Sequence, residues 1–270
     1  MTKITRKPDG TITFELVIPA ATIASEYKKA LTQVAKTAQI KGFRPGKAPI
    51  KMVEAQTDKS RLYSHVLDHV LSPAYSEVIH EHKLVPLIEP RVIPKGMEEG
   101  KDWFMEVTVA TSPEIDLGDY AKYIGAAIKK HGTEHKEDKG VKPEEAKDHK
   151  LNVIFDALLD KAKIEVSSFL IEEETKSALQ RLSTQLNGLK LSVEDYAKSI
   201  KKTTEELINE YKASAESNLK LEFILQKLIE DKKPEITEAE IAQIKPQKGQ
   251  EGYAKYVLQK RKVLDFLAEL

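Results

Sequence analysis

The sequence predicts an α+β protein in two parts: an antiparallel sheet carrying helices, followed by an all-α region. Three observations carry this prediction. Period-two alternation of apolar and polar residues appears at 11–18 and again at 103–111. From residue 143 onward the apolar residues follow helical spacing, and three helix starts carry an S/T-x-x-D/E pattern. Between these regions, 129–140 holds no large apolar side chain and cannot add to a core. The expected boundaries are therefore 1–117, a linker at 118–142, and a helical domain at 143–270.

The first element is a hairpin, with Ile4 to Lys7 and Thr11 to Ile18 joined at Pro8-Asp9-Gly10. Ile12, Phe14 and Leu16 form its buried face, and Pro19 ends it. Ile23, Tyr27, Leu31, Val34 and Ala38 then mark a helix that stops at Gly42. Residues 42–49 read as a stiff loop, because Gly42 and Gly46 permit positive φ while Pro45 and Pro49 fix it. A short helix from Ile50 leads into a longer one over 60–82, which Pro73 must kink or restart. Strands at 88–93 and 103–111 close the domain. In the second region, helices begin at Pro143, near Ser167 or Ser168, after Ser192, after Thr203, after Thr237 and after Gly252. The helix from Thr204 should reach about Asp231.

Composition narrows function. With 32% charged residues and 40% hydrophobic ones, the chain reads as a water-soluble, helix-rich protein. No stretch approaches the roughly 20 apolar residues of a membrane span, and the start of the chain has no secretory apolar region. Cysteine is absent, which excludes thiol catalysis, disulfides and cysteine-ligated zinc. A cytoplasmic location is the resulting expectation. Net charge is zero, yet residues 1–60 carry 11 basic against 5 acidic side chains. Lys28, Lys29, Lys36, Lys41, Arg44, Lys47 and Lys51 form a block with no acidic residue among them. Such a block marks either a confined anionic docking site or a solvated lysine face.

Gly42-Phe43-Arg44-Pro45-Gly46-Lys47-Ala48-Pro49 resembles the ribosome-binding loop of the trigger factor family, whose pattern is Gly-Phe-Arg-x-Gly-Lys-x-Pro. The order of elements around the loop is similar as well. Ser167-Ser168-Phe169-Leu170-Ile171-Glu172-Glu173-Glu174, Leu191 to Tyr196 and Lys202 to Leu207 resemble the family's later helix starts. The resemblance implies a ribosome-binding α+β domain followed by an all-α, SurA-like chaperone domain. It also implies docking beside the exit tunnel of the large ribosomal subunit, on protein and rRNA, and holding of nascent or unfolded polypeptides. Gly42, Phe43, Arg44, Pro45, Gly46 and Lys47 would form the docking tip, with Lys28, Lys29, Lys36, Lys41 and Lys51 as auxiliary charges. In a turn this tight Phe43 would face outward as an anchor, Arg44 would offer a planar fork and Lys47 a point charge.

The chain departs from the family in three places. Some members carry a lysine where this chain has Pro45. The family's FKBP-type prolyl isomerase domain has no room in the 25 residues of 118–142. The helix after Thr237 is cut short by Pro246, so one family arm reads as truncated. The expectation is a chaperone without enzymatic activity, cofactor, nucleotide or membrane, with homodimerisation of the free chain left open. An RNA-binding module and a SurA-like chaperone working off the ribosome are the rivals. His131 and His135 have i,i+4 spacing, but Gly132 and the surrounding charge run argue for disorder rather than a metal site. His65 and His69 share the spacing on a helix without an obvious third ligand, and are set aside as well.

Overall fold

A computed structural model describes residues 2–134, 143–244, 246–247 and 249–270, with the side chains of 131–134 and 143–147 excepted. The chain divides into two compact units, Met1–Lys7 with Thr11–Thr111, and Pro8–Gly10 with Ser112–Leu270.

The first unit is a four-stranded antiparallel sheet of β1 (Ile4–Arg6), β2 (Thr11–Ile18), β3 (Arg91–Gly96) and β4 (Trp103–Ala110), in the order β1-β2-β4-β3. Ile12 faces Val109 and Leu16 faces Met105 across the central pair. Alternation then puts Ile12, Phe14, Leu16 and Ile18 on the same buried face as Trp103, Met105, Val107 and Val109. Helices α1 (Ala20–Thr37), α2 (Ile50–Gln56) and α3 (Lys59–Glu81) close over this face through Ile23, Leu31, Val53, Leu62, Val66 and Val70. Three details differ from the sequence expectation. Helix α1 ends at Thr37 rather than at Gly42, because Ala38 is already in extended backbone. The edge strand β3 starts three residues later and runs through Pro94, with a register shift between Pro94 and Gly96. An edge position tolerates proline because its missing N–H has no partner to serve. Helix α3 continues through Pro73 without restarting, capped at its start by Asp58, which accepts the Ser60 N–H.

The second unit is mostly helical: α4 (Tyr120–Glu134), α5 (Pro143–Lys161), α6 (Ser168–Gly188), α7 (Val193–Ser199), α8 (Thr204–Lys232), α9 (Glu238–Ile244) and α10 (Glu251–Ala268). Its one strand pairing among the described residues is two residues long, β5 (Ile115–Asp116) with β6 (Lys163–Ile164). Helix α4 corrects the linker reading of 118–142. Leu117, Tyr120, Tyr123, Ile124 and Ile128 supply an apolar stripe before the polar run begins, and Ile124 is fully buried. The stripe packs with Ile154 and Leu158 of α5, Ile224, Leu225 and Leu228 of α8, and Val263 and Leu267 of α10. The rest of that expected linker, 135–142, lies outside the described residues.

Helix α8, at 29 residues, is about 43 Å long and joins two apolar clusters. Its C-terminal half lies in the core just described, while Leu207 at its start packs with Leu182, Leu186 and Ala197 of α6 and α7. The S/T-x-x-D/E starts all close as capping hydrogen bonds. Ser192 Oγ accepts the Asp195 N–H, and Thr203 and Glu206 exchange bonds in both directions. Thr237 and Glu240 do the same at α9. Four chain turns after helices are closed by lysines in left-handed backbone: Lys83, Lys190, Lys201 and Lys233, with φ between 45° and 58°.

Helix α9 also yields a pH dependence. The Lys262 ammonium, then the Thr237 N–H and hydroxyl, pull the Glu240 carboxyl down to about 2 from 4.5. A carboxyl lowered in the folded state stabilises the fold above its ordinary pKa, and that stabilisation is lost as pH falls toward the lowered value. Amide protection factors in α9, measured against the intrinsic exchange rate at each pH, are therefore expected to fall between pH 4.5 and 2, and Glu240→Gln should remove most of that dependence. The exposed setting keeps the effect local.

Candidate functional site

The segment 38–49 leaves α1 after Thr37 and enters α2 at Ile50, so both of its ends are set by helices packed on the sheet. Three backbone bonds fold it. The Phe43 N–H donates to the Ile40 carbonyl at 3.0 Å, Lys47 to Arg44 at 3.0 Å, and Gly46 back to Ala38 at 3.3 Å. Ile40 is buried beneath the turn, while Phe43 remains 40% exposed. Gly46 is the constrained position. It sits at φ +75°, and a Cβ there would lie 2.6 Å from the Lys36 carbonyl oxygen. Gly46→Ala thus combines left-handed strain of about 1–2 kcal/mol with a backbone collision. It should lower Tm and disorder the loop, detectable as faster tryptic cleavage after Lys41 and Lys47. Unchanged cleavage would show that the loop does not depend on this approach.

Lys28, Lys36, Lys41, Arg44, Lys47 and Lys51 are exposed and have no acidic partner among the described residues. Lys29 differs, because its ammonium is paired with Glu26 at 2.6 Å, one turn earlier on α1. It is the member of the basic block with a charge already matched. Two apolar side chains missed by the sequence reading flank Lys51: Ile50 and Met52 are 49% and 42% exposed. The signal was the shortness of α2, which buries Val53 alone and leaves its neighbours outside. Phe43, Ile50 and Met52 thus add apolar surface to a chain segment rich in unpaired cations.

In the helical unit, exposed apolar residues gather in sequence where α6, α7 and α8 meet. Leu189 and Leu191 lie in the α6–α7 connection, Ile200 follows α7, and Ile208 is in the first turns of α8. Tyr253 and Val257 expose a second patch along α10. Near it, the end of α8, the α8–α9 connection and α10 enclose an open groove of about 700 Å³, lined in part by Ile229, Pro234, Ile236 and Gln259. His65 and His69 bring their rings to 4.7 Å, but no group of three metal-ligating side chains forms among the described residues. The His131 side chain and the whole of His135 lie outside the described portion. No described helix is long and apolar enough to cross a membrane.

Comparison with known proteins agrees with this architecture. Residues 1–144 match the family model for the bacterial trigger factor protein, and 134–247 match the model for the bacterial trigger factor protein C-terminus. The two matches adjoin with no isomerase domain between them. Trigger factors of Staphylococcus aureus strains JH9, Newman and Mu3 are each 35% identical over 136 residues. That stretch is 50% of this chain and 30% of each relative, so the match spans under a third of the relatives' length. A solved structure from work on promiscuous substrate recognition in folding and assembly activities of the trigger factor chaperone superposes with a TM-score of 0.68 at 14% identity, covering 100% of this chain and 99% of its own. With its N-terminal and C-terminal regions both matched and directly joined, the chain belongs to the trigger factor family.

Proposed function

We propose that this protein is an ATP-independent holding chaperone. It docks through residues 42–47 beside the exit tunnel of the large ribosomal subunit and shields nascent or unfolded polypeptides on its helical unit. The observation that supports docking most directly is the loop itself. It is a backbone-bonded turn with Phe43 partly exposed and with Arg44 and Lys47 free of acidic partners among the described residues. An anion-rich surface of protein and rRNA suits that composition, since arginine forks phosphate or carboxylate and lysine adds a point charge. Pro45 stiffens the turn and removes one charge that some family members have, which weakens docking without moving it. Lys28, Lys36, Lys41 and Lys51 add longer-range attraction, and Lys29 less because of its pairing.

Holding is supported by the exposed Leu189, Leu191, Ile200 and Ile208, whose apolar surface fits unfolded segments of clients. The sequence has no nucleotide-binding pattern, so release follows affinity and ribosome occupancy. The matched regions adjoin with no isomerase domain between them, so the proposed role is holding without a catalytic step, at ribosomes in the cytoplasm. The test is sedimentation of the purified protein through sucrose with large subunits, small subunits and free rRNA in parallel. Pelleting with large subunits only supports tunnel-exit docking. Equal, strongly salt-dependent binding to free rRNA favours the RNA-binding rival, and no pelleting in any arm favours a chaperone working off the ribosome.

A further inference from the structure

Among the described residues, the backbone bonds of 38–47 run within the segment or to the end of α1, and Pro49 accepts from Met52 and Val53 at the start of α2, so these bonds shape the loop and join it to α2 without tying α2 to α1. Buried Ile40 seats the α1 side of the loop on the core, and Ala48 packs there only in part, so the pose of the far side depends on the two helices that hold its ends. Helix α1 is well anchored through buried Ile23, Ala30 and Leu31. Helix α2 is not: it has seven residues, one buried side chain, Val53, and no side-chain cap at Pro49. A short helix held at one apolar point can pivot about it. The Tyr27 hydroxyl on α1 donates to Glu54 Oε1 on α2 at 3.1 Å, and this is the one side-chain hydrogen bond joining α1 to α2 among the described residues.

We propose that Tyr27 and Glu54 are positioning residues, whose hydrogen bond clamps α2 to α1 and so fixes the pose of the docking loop. The role rests on the docking reading above. Three further features fit a clamp. The Tyr27 ring lies 5.1 Å from the Tyr63 ring of α3, and Tyr63 meets Trp103 edge-on at 5.7 Å. Trp103 is buried on β4, so the row ties the clamp to the sheet. The hydroxyl is also a constant donor. Burial first, then the bond to Glu54, pushes Tyr27 up to about 12. Finally, the clamp spans 27 residues of sequence that include the whole loop, so breaking it frees the α2 end of the loop while the core beneath remains.

The test combines amide exchange with ribosome binding in Tyr27→Phe, Glu54→Ala and Glu54→Gln. Tyr27→Phe keeps the ring stack and deletes the donor alone. Glu54→Gln keeps an acceptor oxygen. In Tyr27→Phe and Glu54→Ala, exchange at the Gly46 and Lys47 amides should rise about threefold to tenfold, as expected for loss of one hydrogen bond. Affinity for large subunits should fall by a similar factor, because a smaller fraction of the molecules holds the competent pose. Tm should stay within a few degrees of the parent, and Glu54→Gln should restore both readouts. Phe43→Ala with Arg44→Ala serves as the reference arm. If that variant binds like the parent, the docking reading fails, and the exchange data still decide the clamp. The clamp is overturned if loop exchange is unchanged in Tyr27→Phe, or if exchange rises equally throughout the first unit. It is likewise overturned if Glu54→Gln behaves like Glu54→Ala.

Discussion

Phe43→Ala combined with Arg44→Ala is expected to abolish co-sedimentation with large ribosomal subunits while leaving the fold intact. An aromatic anchor and an arginine at the centre of an interface each contribute about 2 kcal/mol or more when truncated. Two such losses together correspond to roughly a thousandfold in affinity, enough to remove a micromolar complex from a pellet. Stability should hardly change. Phe43 is 40% exposed and Arg44 is exposed with no ion pair among the described residues, so neither supports the core. Exposed substitutions of this kind shift stability by about 0.5 kcal/mol or less. Far-UV circular dichroism and Tm of the double variant check that side, and sucrose-cushion sedimentation checks the other. A variant that still pellets like the parent would remove the loop from the interface.

The second large effect concerns where the holding unit begins. A chain covering 112–270 should fold and suppress aggregation of an unfolded model protein at near-equimolar ratio, and one covering 1–111 should do so far less. Starting instead at 143, as the sequence alone suggests, removes Leu117 and Ile124 from the core together with the half-buried Tyr120, Tyr123 and Ile128. Full burial of one large apolar side chain contributes about 1.5–3 kcal/mol. The lost set therefore amounts to roughly 5 kcal/mol or more, comparable with the whole stability of a domain. The 143–270 fragment should show a broadened or absent thermal transition and bind a hydrophobic dye. If it melts as cooperatively as 112–270, α4 is dispensable to the core. If only 1–111 protects the model protein, holding does not reside in the helical unit.

What the sequence made legible is what local chemistry decides. Alternation at Ile12, Phe14 and Leu16 and at Trp103, Met105 and Val107 marks both central strands and their buried face. The Thr203–Glu206 and Thr237–Glu240 pairs place helix starts to the residue, because capping acts over three positions. The loop at 42–49 is visible for the same reason. Helix α4 was hidden because its apolar stripe ends at Ile128, just before a polar run that dominates any window centred there. Contacts between distant segments were hidden altogether. Nothing near Tyr27 announces Glu54 as its acceptor, nor Glu222 as the acceptor of Tyr256. The pairing of Lys29 with Glu26 was within reach, since the two are one helical turn apart.

The left-handed lysines after α3, α6, α7 and α8 bear on how far this scaffold can be pushed. Glycine is the residue that adopts such backbone without strain, and a side chain there costs about 1 kcal/mol. A lysine recovers part of this, roughly 0.3–1 kcal/mol, by placing a cation against the negative helix end. At Lys83, Lys190, Lys201 and Lys233 the fold thus trades backbone comfort for an electrostatic stop, one that weakens as ionic strength rises. Four such positions, none of them in the docking loop, make a reserve of thermostability that glycine substitution could release without touching the surface read as the docking tip.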